Sequence, residues 1–372
     1  MNTPYDSQPD SAFWRRVIGE REPEQIGDWY SKRFALDGKK IAAAGSCFAQ
    51  HIGRHLRNAG FDYIDAEPPP PGLPEDEYLA WGYRMYSARY GNVYTSRQML
   101  QLIDRATGTF TPREDHWERD GGVVDPFRPT IEPEPYGSVA ELRALRRDHL
   151  EATAAVFETA DVLVFTLGLT EAWLSREDGA CFPLCPGTAG GHYDPSRHRF
   201  QNLSSAEVRA DMESFLARAR ALNPRLEVLL TVSPVSLMAT ATPRQVSVAT
   251  VYSKSVLRAV AGELCDAHDF IDYFPSYEMI VGPASRGRFF KPGMRDVAPA
   301  GVAYVMGHFL AEHRPPGAAP VPDPVPAPRA PALKPRPAPL PSVAPPAPPP
   351  DDDEEVKCDE ELLNAFGRKP PA

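Results

Sequence analysis

Apolar runs that alternate with helix-period stretches constrain this chain most. Asp161-Val162-Leu163-Val164-Phe165-Thr166 is β-branched or apolar nearly throughout, as a strand buried on both faces requires. Leu226-Glu227-Val228-Leu229-Leu230-Thr231-Val232 repeats the pattern, and Phe270-Ile271-Asp272-Tyr273-Phe274 is a weaker third case. Between them, Val208, Met212, Phe215, Leu216 and Ala219 share one face of a helix over about residues 205–222, and a second helix is expected over about 247–266. A last helix is expected from about Pro299 to His313. Strands that alternate with helices predict a parallel sheet with right-handed crossovers.

The same switch of period occurs first at Lys40-Ile41-Ala42-Ala43-Ala44-Gly45-Ser46-Cys47-Phe48. Small apolar residues run into Gly45-Ser46, after which Phe48, Ile52 and Leu56 recur every fourth residue. The reading is strand, tight turn, helix, with Ser46 in the turn. Free backbone N–H groups and the positive end of the helix dipole meet there and favour an anion. Gly60-Phe61-Asp62-Tyr63-Ile64 reads as a second short strand, ended by Pro68 to Pro71, and a helix is expected near Glu75 to Tyr86. The Gly-Asn turn at Gly91-Asn92 leads into a helix with Met99, Leu102 and Ile103 on one face. Ser138 with Glu141 forms a capping box for a helix to about Phe157.

The expected organisation has four parts. Residues 1–35 are a polar arm with interspersed aromatics that wraps the domain. Residues 36–314 form the domain, with 111–136 a long aromatic and proline-containing insertion or lid. Residues 315–350 hold 17 prolines and cannot build a core, so they read as an extended, disordered linker. Residues 351–372 begin with an acidic run and carry a short amphipathic piece with Leu362, Leu363 and Phe366 on one helical face. The tail reads as disordered or as a tethered docking peptide for a protein partner. Removing residues 320–372 is expected to leave the melting temperature nearly unchanged.

The net charge of −10, with basic residues scattered, argues against nucleic acid as a partner. No stretch approaches the roughly 18 apolar residues of a spanning helix, so no membrane span is expected. The opening residues show no basic start followed by an apolar run, and five cysteines spread over the chain suggest a reducing compartment. The expected location is the cytoplasm.

Ligands of an open parallel sheet bind at the carboxyl ends of its strands. Four such ends here carry polar residues: Gly45-Ser46-Cys47, Gly168-Leu169-Thr170-Glu171, Ser233-Pro234-Val235-Ser236 and Pro275-Ser276-Tyr277-Glu278. A serine nucleophile there needs a base and oxyanion donors. The donor candidates are the N–H groups of Ser46 and Cys47, an N–H from Gly91 or Gly168, and the Asn92 side chain. For the base, His198 and then His192 are favoured, because both lie in the glycine-rich loop after the 161–166 strand. His51 and His55, on the helix that follows Ser46, read as surface groups. Cys181 and Cys185 with these two histidines are zinc-type ligands, but their spacing matches no strong zinc signature. No metal or cofactor is expected.

Gly45-Ser46-Cys47-Phe48-Ala49 resembles the string for which the GSCFA family is named. The likeness continues through Tyr90-Gly91-Asn92-Val93-Tyr94-Thr95, Thr166-Leu167-Gly168, Thr231-Val232-Ser233-Pro234-Val235, Ser253-Lys254-Ser255-Val256-Leu257-Arg258 and Tyr273-Phe274-Pro275-Ser276-Tyr277-Glu278. It spans roughly residues 35–312. The family in turn resembles SGNH/GDSL hydrolases, which implies a flavodoxin-like three-layer α/β/α sandwich with a mostly parallel five-stranded sheet. By the resemblance Ser46 is the nucleophile and Gly91 an oxyanion glycine, and the turn at Gly168 matches the block that usually ends in Asn. SGNH enzymes place Asp-x-x-His before the last helix. Here Asp296 remains and Ala298 stands where the histidine is expected, so either His198, His192 or Lys254 supplies the base or hydrolysis is weak or absent. The implied activity is a serine acyl-ester hydrolase or acyltransferase acting on an acylated carbohydrate or polysaccharide precursor. The alternative is a non-catalytic protein that binds a sugar or phosphate ligand at the same edge.

Overall fold

The computed structural model describes residues 3–313 and 356–366. In chain order the strands and helices are β1 (Ile41–Gly45), α1 (Phe48–Asn58), α2 (Ser96–Ala106), β2 (Trp117–Arg119), β3 (Gly122–Val124), α3 (Val139–Thr159), β4 (Val162–Leu167), β5 (Glu171–Ser175), β6 (Cys181–Phe182), β7 (His198–Asn202), α4 (Ser205–Leu222), β8 (Glu227–Val232), α5 (Val246–Ala267), β9 (Ile271–Tyr273), α6 (Ser276–Val281) and α7 (Pro299–His313). The main sheet has the order β1-β4-β8-β9 and every pair is parallel.

Side chains alternate across a strand with period two, and this alternation builds the three layers. Ala42, Ala44, Leu163, Phe165, Val228 and Leu230 face one core with the apolar stripes of α2, α3, α4 and α5. Ile41, Ala43, Val162, Val164 and Leu229 face the other, with α1, α6 and α7. Both faces are dry, so these strands read as continuous apolar runs. The fold is a three-layer α/β/α sandwich.

The sheet has four strands, not five. The segment expected as a strand at 60–64 makes a single bridge, Ile41 to Tyr63. The Ile41 N–H donates to Asp62 O (2.8 Å) and the Ile64 N–H to Ile41 O (2.9 Å). The proline run then ends pairing, because proline offers no N–H. The rest of the β1 edge is met by irregular chain, with the Val93 N–H on Gly45 O at 2.8 Å. The helix expected over 75–86 is a single 3₁₀ turn at Glu75–Glu77. Gly82 and Arg84 have positive φ there, which no helix accommodates. At Ser138 the side chain accepts from the Glu141 N–H, but the Glu141 carboxylate reaches the Gly137 N–H, one residue short of a reciprocal box.

Two additions have no counterpart in the sequence reading. The 111–136 excursion contains the β2–β3 hairpin, pinned by buried Asp125. Residues 171–202 form a second, antiparallel sheet of order β6-β5-β7. The N-terminal arm lies against the α7 side. There the Trp29 indole N–H reaches the Tyr304 hydroxyl (2.7 Å) and the Tyr30 hydroxyl reaches Asp272 (2.7 Å). The proline-rich 315–350 stretch and the acidic run at 351–355 lie outside the described residues.

Candidate active site

β1 turns into α1 through Gly45, whose φ of +140° is disfavoured for any residue with a side chain. A Cβ there would lie 2.5 Å from Thr166 O. Gly45→Ala is therefore expected to cost about 2–3 kcal/mol, from backbone strain and the clash. Urea unfolding would measure it; a loss under about 0.5 kcal/mol would contradict the argument.

The Ser46 N–H donates to Thr166 O at 3.1 Å and so extends the β1–β4 ladder. That N–H is spent and is no oxyanion donor. Cys47 is the N-cap of α1 and no side chain caps the helix. The Ser46 hydroxyl is 3% exposed and has no hydrogen-bond partner among the described residues. It is thus not the capping group that a serine in such a turn ordinarily provides.

Ser46 faces a space of about 10 Å³ that is also lined by Cys47, Tyr94, Gly168, Lys254 and Glu360. Gly168 sits close enough that a Cβ on it would come within 3.1 Å of Ser46 Cβ. Its N–H donates to Tyr94 O (3.0 Å), which removes it as an oxyanion donor. Its carbonyl instead accepts from Lys254 Nζ at 2.6 Å. Lys254 is buried on α5, and burial pulls its ammonium down to about 8, against the opposing pull of Glu360 and Cys47. The preceding residue, Ser253, holds the same loop by accepting the Thr170 N–H at 2.9 Å. The sheet end and α5 thus bring a poised amine to the serine's pocket.

Asn92 is buried and fixed on one side. Its Oδ1 accepts the Tyr86 hydroxyl at 2.5 Å, and that network orients Nδ2 outward. Gly91, with φ +70°, makes the turn that presents Asn92. The Cys47 N–H, at the N-cap of α1, has no intrahelical acceptor. Of the donor candidates, Ser46 and Gly168 have their N–H groups engaged, which leaves Asn92 Nδ2, the Gly91 N–H and the Cys47 N–H at this edge.

The histidines favoured by the sequence reading lie elsewhere. His198, on β7, accepts the Asp194 N–H at Nδ1 (3.1 Å) and faces Glu114 with Nε2 (3.0 Å), so both ring nitrogens are engaged within the antiparallel sheet region. His192 lines an apolar cavity of about 570 Å³ with Trp173, Leu184 and Leu237. Asp296 binds Arg295 (2.7 Å), and among the described residues it forms no ion pair with a histidine. It lines a cavity of about 500 Å³ with Cys47, His51 and His55, two histidines read from sequence as surface groups. Among the described residues no group of three or more His, Cys, Asp or Glu is placed to hold a metal ion. Cys181 neighbours Thr95 (3.8 Å), and Cys185 lines the apolar cavity. No helix among these residues is long and apolar enough to cross a membrane.

Residues 356–366 pack over this site, contrary to a tail whose loss would go unnoticed. Gln50 pairs with the Lys357 backbone in both directions, accepting its N–H (3.0 Å) and donating to its carbonyl (2.8 Å). Asn92 Nδ2 donates to Lys357 O (3.1 Å) and to Asp359 Oδ2 (2.9 Å). Thr130 of the excursion donates to the other Asp359 oxygen. Glu360 pairs with Arg295 at 3.6 Å and accepts the Met238 N–H at 3.4 Å. Arg295 also lies 3.7 Å from Cys358 Sγ. The Cys358 thiol is held low by a hydrogen bond from Cys47, against its burial, while Cys47 is pushed up. Leu363 lines the apolar cavity half-buried, while Phe366 borders it and, like Leu362, is exposed. Gln50, Arg295 and Glu360 escaped the sequence reading. The usable signal was a glutamine four residues after Ser46, on the buried face of α1.

The GSCFA family model matches residues 40–309. The chain belongs to the GSCFA family. No curated protein matches the sequence. Two solved structures align over 73% of this GSCFA protein at 11% identity and a TM-score of 0.33. One is an acetyl esterase mutant with acetate ion, covered over 93% of its length. The other is a carbohydrate esterase family 3 protein from Talaromyces cellulolyticus, covered over 94%. A likeness of that degree supports no residue-level transfer.

Proposed function

We propose that this GSCFA protein is a serine acyl-ester hydrolase in which Ser46 is the nucleophile and Lys254 the base. One observation carries the reading: a buried serine hydroxyl with no partner among the described residues shares its pocket with a buried lysine whose value burial lowers to about 8. Neutral Lys254 takes the Ser46 proton as Oγ bonds to the acyl carbonyl carbon. The carbonyl oxygen becomes an oxyanion, stabilised by Asn92 Nδ2–H and the Cys47 N–H. The C–O bond to the alcohol then breaks and the alcohol leaves with the proton from Lys254. Water repeats the sequence on the acyl-serine and releases the acid. An acceptor hydroxyl in place of water would make the reaction an acyl transfer. An acylated carbohydrate as substrate rests on the family resemblance alone.

A fluorophosphonate is expected to place one phosphonyl group on Ser46 of a chain whose tail contacts are removed by Asp359→Ala and Glu360→Ala, read by peptide mass spectrometry, and none once Ser46→Ala is added. Absence of label from the tail variant, with a sugar or phosphate ligand still bound with and without Ser46, would favour the non-catalytic alternative.

A further inference from the structure

We propose that the Ser46 cleft is a binding site for an acidic peptide strand, that residues 357–361 of this same chain are its occupant, and that their departure opens the site. The contacts are those of recognition, not of incidental packing. Gln50 reads the Lys357 backbone as a neighbouring strand would, with one bond given and one received. The two carboxylates that follow meet groups placed for anions. Asp359 takes the Asn92 amide and the Thr130 hydroxyl, and Glu360 takes Arg295 and the Met238 N–H beside Lys254. Leu363 then borders the adjoining apolar cavity.

Occupancy and chemistry exclude one another. The space left beside Ser46 is about 10 Å³, room for at most one water and for no acyl ester. Lys357 O and Asp359 between them take the Asn92 amide hydrogens that an oxyanion would need. Glu360 favours the ammonium form of Lys254, the form that accepts no proton. The peptide therefore blocks access, donor and base together. That consequence for turnover rests on the serine-hydrolase reading; the occupancy does not.

The test uses the full chain with Asp359→Ala and Glu360→Ala together, and its primary readout is alkylation of Cys47. That thiol is 4% exposed beneath the tail. Loss of two sets of charge-assisted hydrogen bonds is expected to speed its modification by iodoacetamide about tenfold or more. A synthetic peptide of residues 356–366, with Cys358→Ser, should restore protection to the variant, and a scrambled peptide should not. An unchanged Cys47 rate, or a faster rate that the native-sequence peptide leaves untouched, would overturn the proposal. Ester hydrolysis is measured in parallel. A rise that tracks Cys47 exposure supports both readings. Exposure without hydrolysis leaves the peptide site standing and counts against Ser46 as nucleophile.

Discussion

Lys254→Met is expected to lower the hydrolysis of a p-nitrophenyl ester by roughly 10²–10⁴-fold, the range a positioned general base contributes. The comparison belongs in chains that also carry the tail substitutions, so that access does not limit the rate. The active form of Lys254 is the neutral amine. With Glu360 beside it, burial brings its value down to about 8, and the tail substitutions remove that upward pull, so activity should rise with pH below about 8 and be level above it. Lys254→Met should erase this limb. Lys254→Arg should be as inactive as the Met variant, because a guanidinium does not deprotonate. Stability separates catalysis from folding. A folded-state value below that of the unfolded chain means that the protonated lysine opposes folding at pH 7. Lys254→Met should therefore unfold in urea no more easily than wild type, even with the Gly168 carbonyl left without its donor. Retention of more than about a tenth of the activity would exclude the role given to Lys254.

Asp125→Ala is expected to destabilise the protein by about 3–5 kcal/mol at pH 7, the cost of stripping the anion from a buried ion cluster. The Asp125 side chain is 1% exposed and lies 3.0 Å from Arg146 Nε and 3.3 Å from Arg128 Nε. It also accepts the Phe127 N–H at 3.1 Å. Arg105, stacked over the Phe127 ring at 3.9 Å, adds a third cation. Burial alone would raise the Asp125 carboxyl, but the guanidiniums of Arg146, Arg105 and Arg128 outweigh it and hold it well below the usual carboxylate range. A depressed value gives stability that is present above the unfolded-chain value near 3.9 and lost as pH falls further. The gap between wild type and Asp125→Ala should thus be full at pH 7 and shrink below about pH 4. A gap of constant size across that window would place the loss in packing rather than charge. Asp125 also anchors the excursion that carries Thr130, so the same variant should loosen the tail and speed Cys47 alkylation.

Much of the fold was legible because its signals are local. The runs at 161–166 and 226–232 announce buried strands, and the fourth-residue spacing after Ser46 announces α1, since each follows from the geometry of a few consecutive residues. The second strand was misread because its composition suits a strand while the prolines behind it deny further pairing. The helix near 75–86 was misread because backbone turns at Gly82 and Arg84 override side-chain spacing. The antiparallel sheet at 171–202 was missed because its strands are short and its pairing is set by contacts across a glycine-rich loop.

The site divides along the same line. The place of Ser46, at a strand end facing a helix start, could be read from residues 40–56. Which amine or imidazole reaches it could not. His198 was favoured for its residue type and its loop, yet its ring is held by Asp194 and Glu114. Lys254 arrives because α5 packs on β8 and β9, and burial there, which no local pattern records, lowers the value of its ammonium. The tail shows the limit most sharply. Its sequence is acidic, short and set behind a proline-rich stretch, and such a composition alone argues for a solvated chain. Three-dimensional placement reverses that reading, because Gln50, Asn92, Thr130 and Arg295 come from four separate elements and converge only when the domain is folded. Local periodicity therefore wrote the layers and the position of the serine, while the base, the oxyanion donors and the peptide over them depend on long-range contacts.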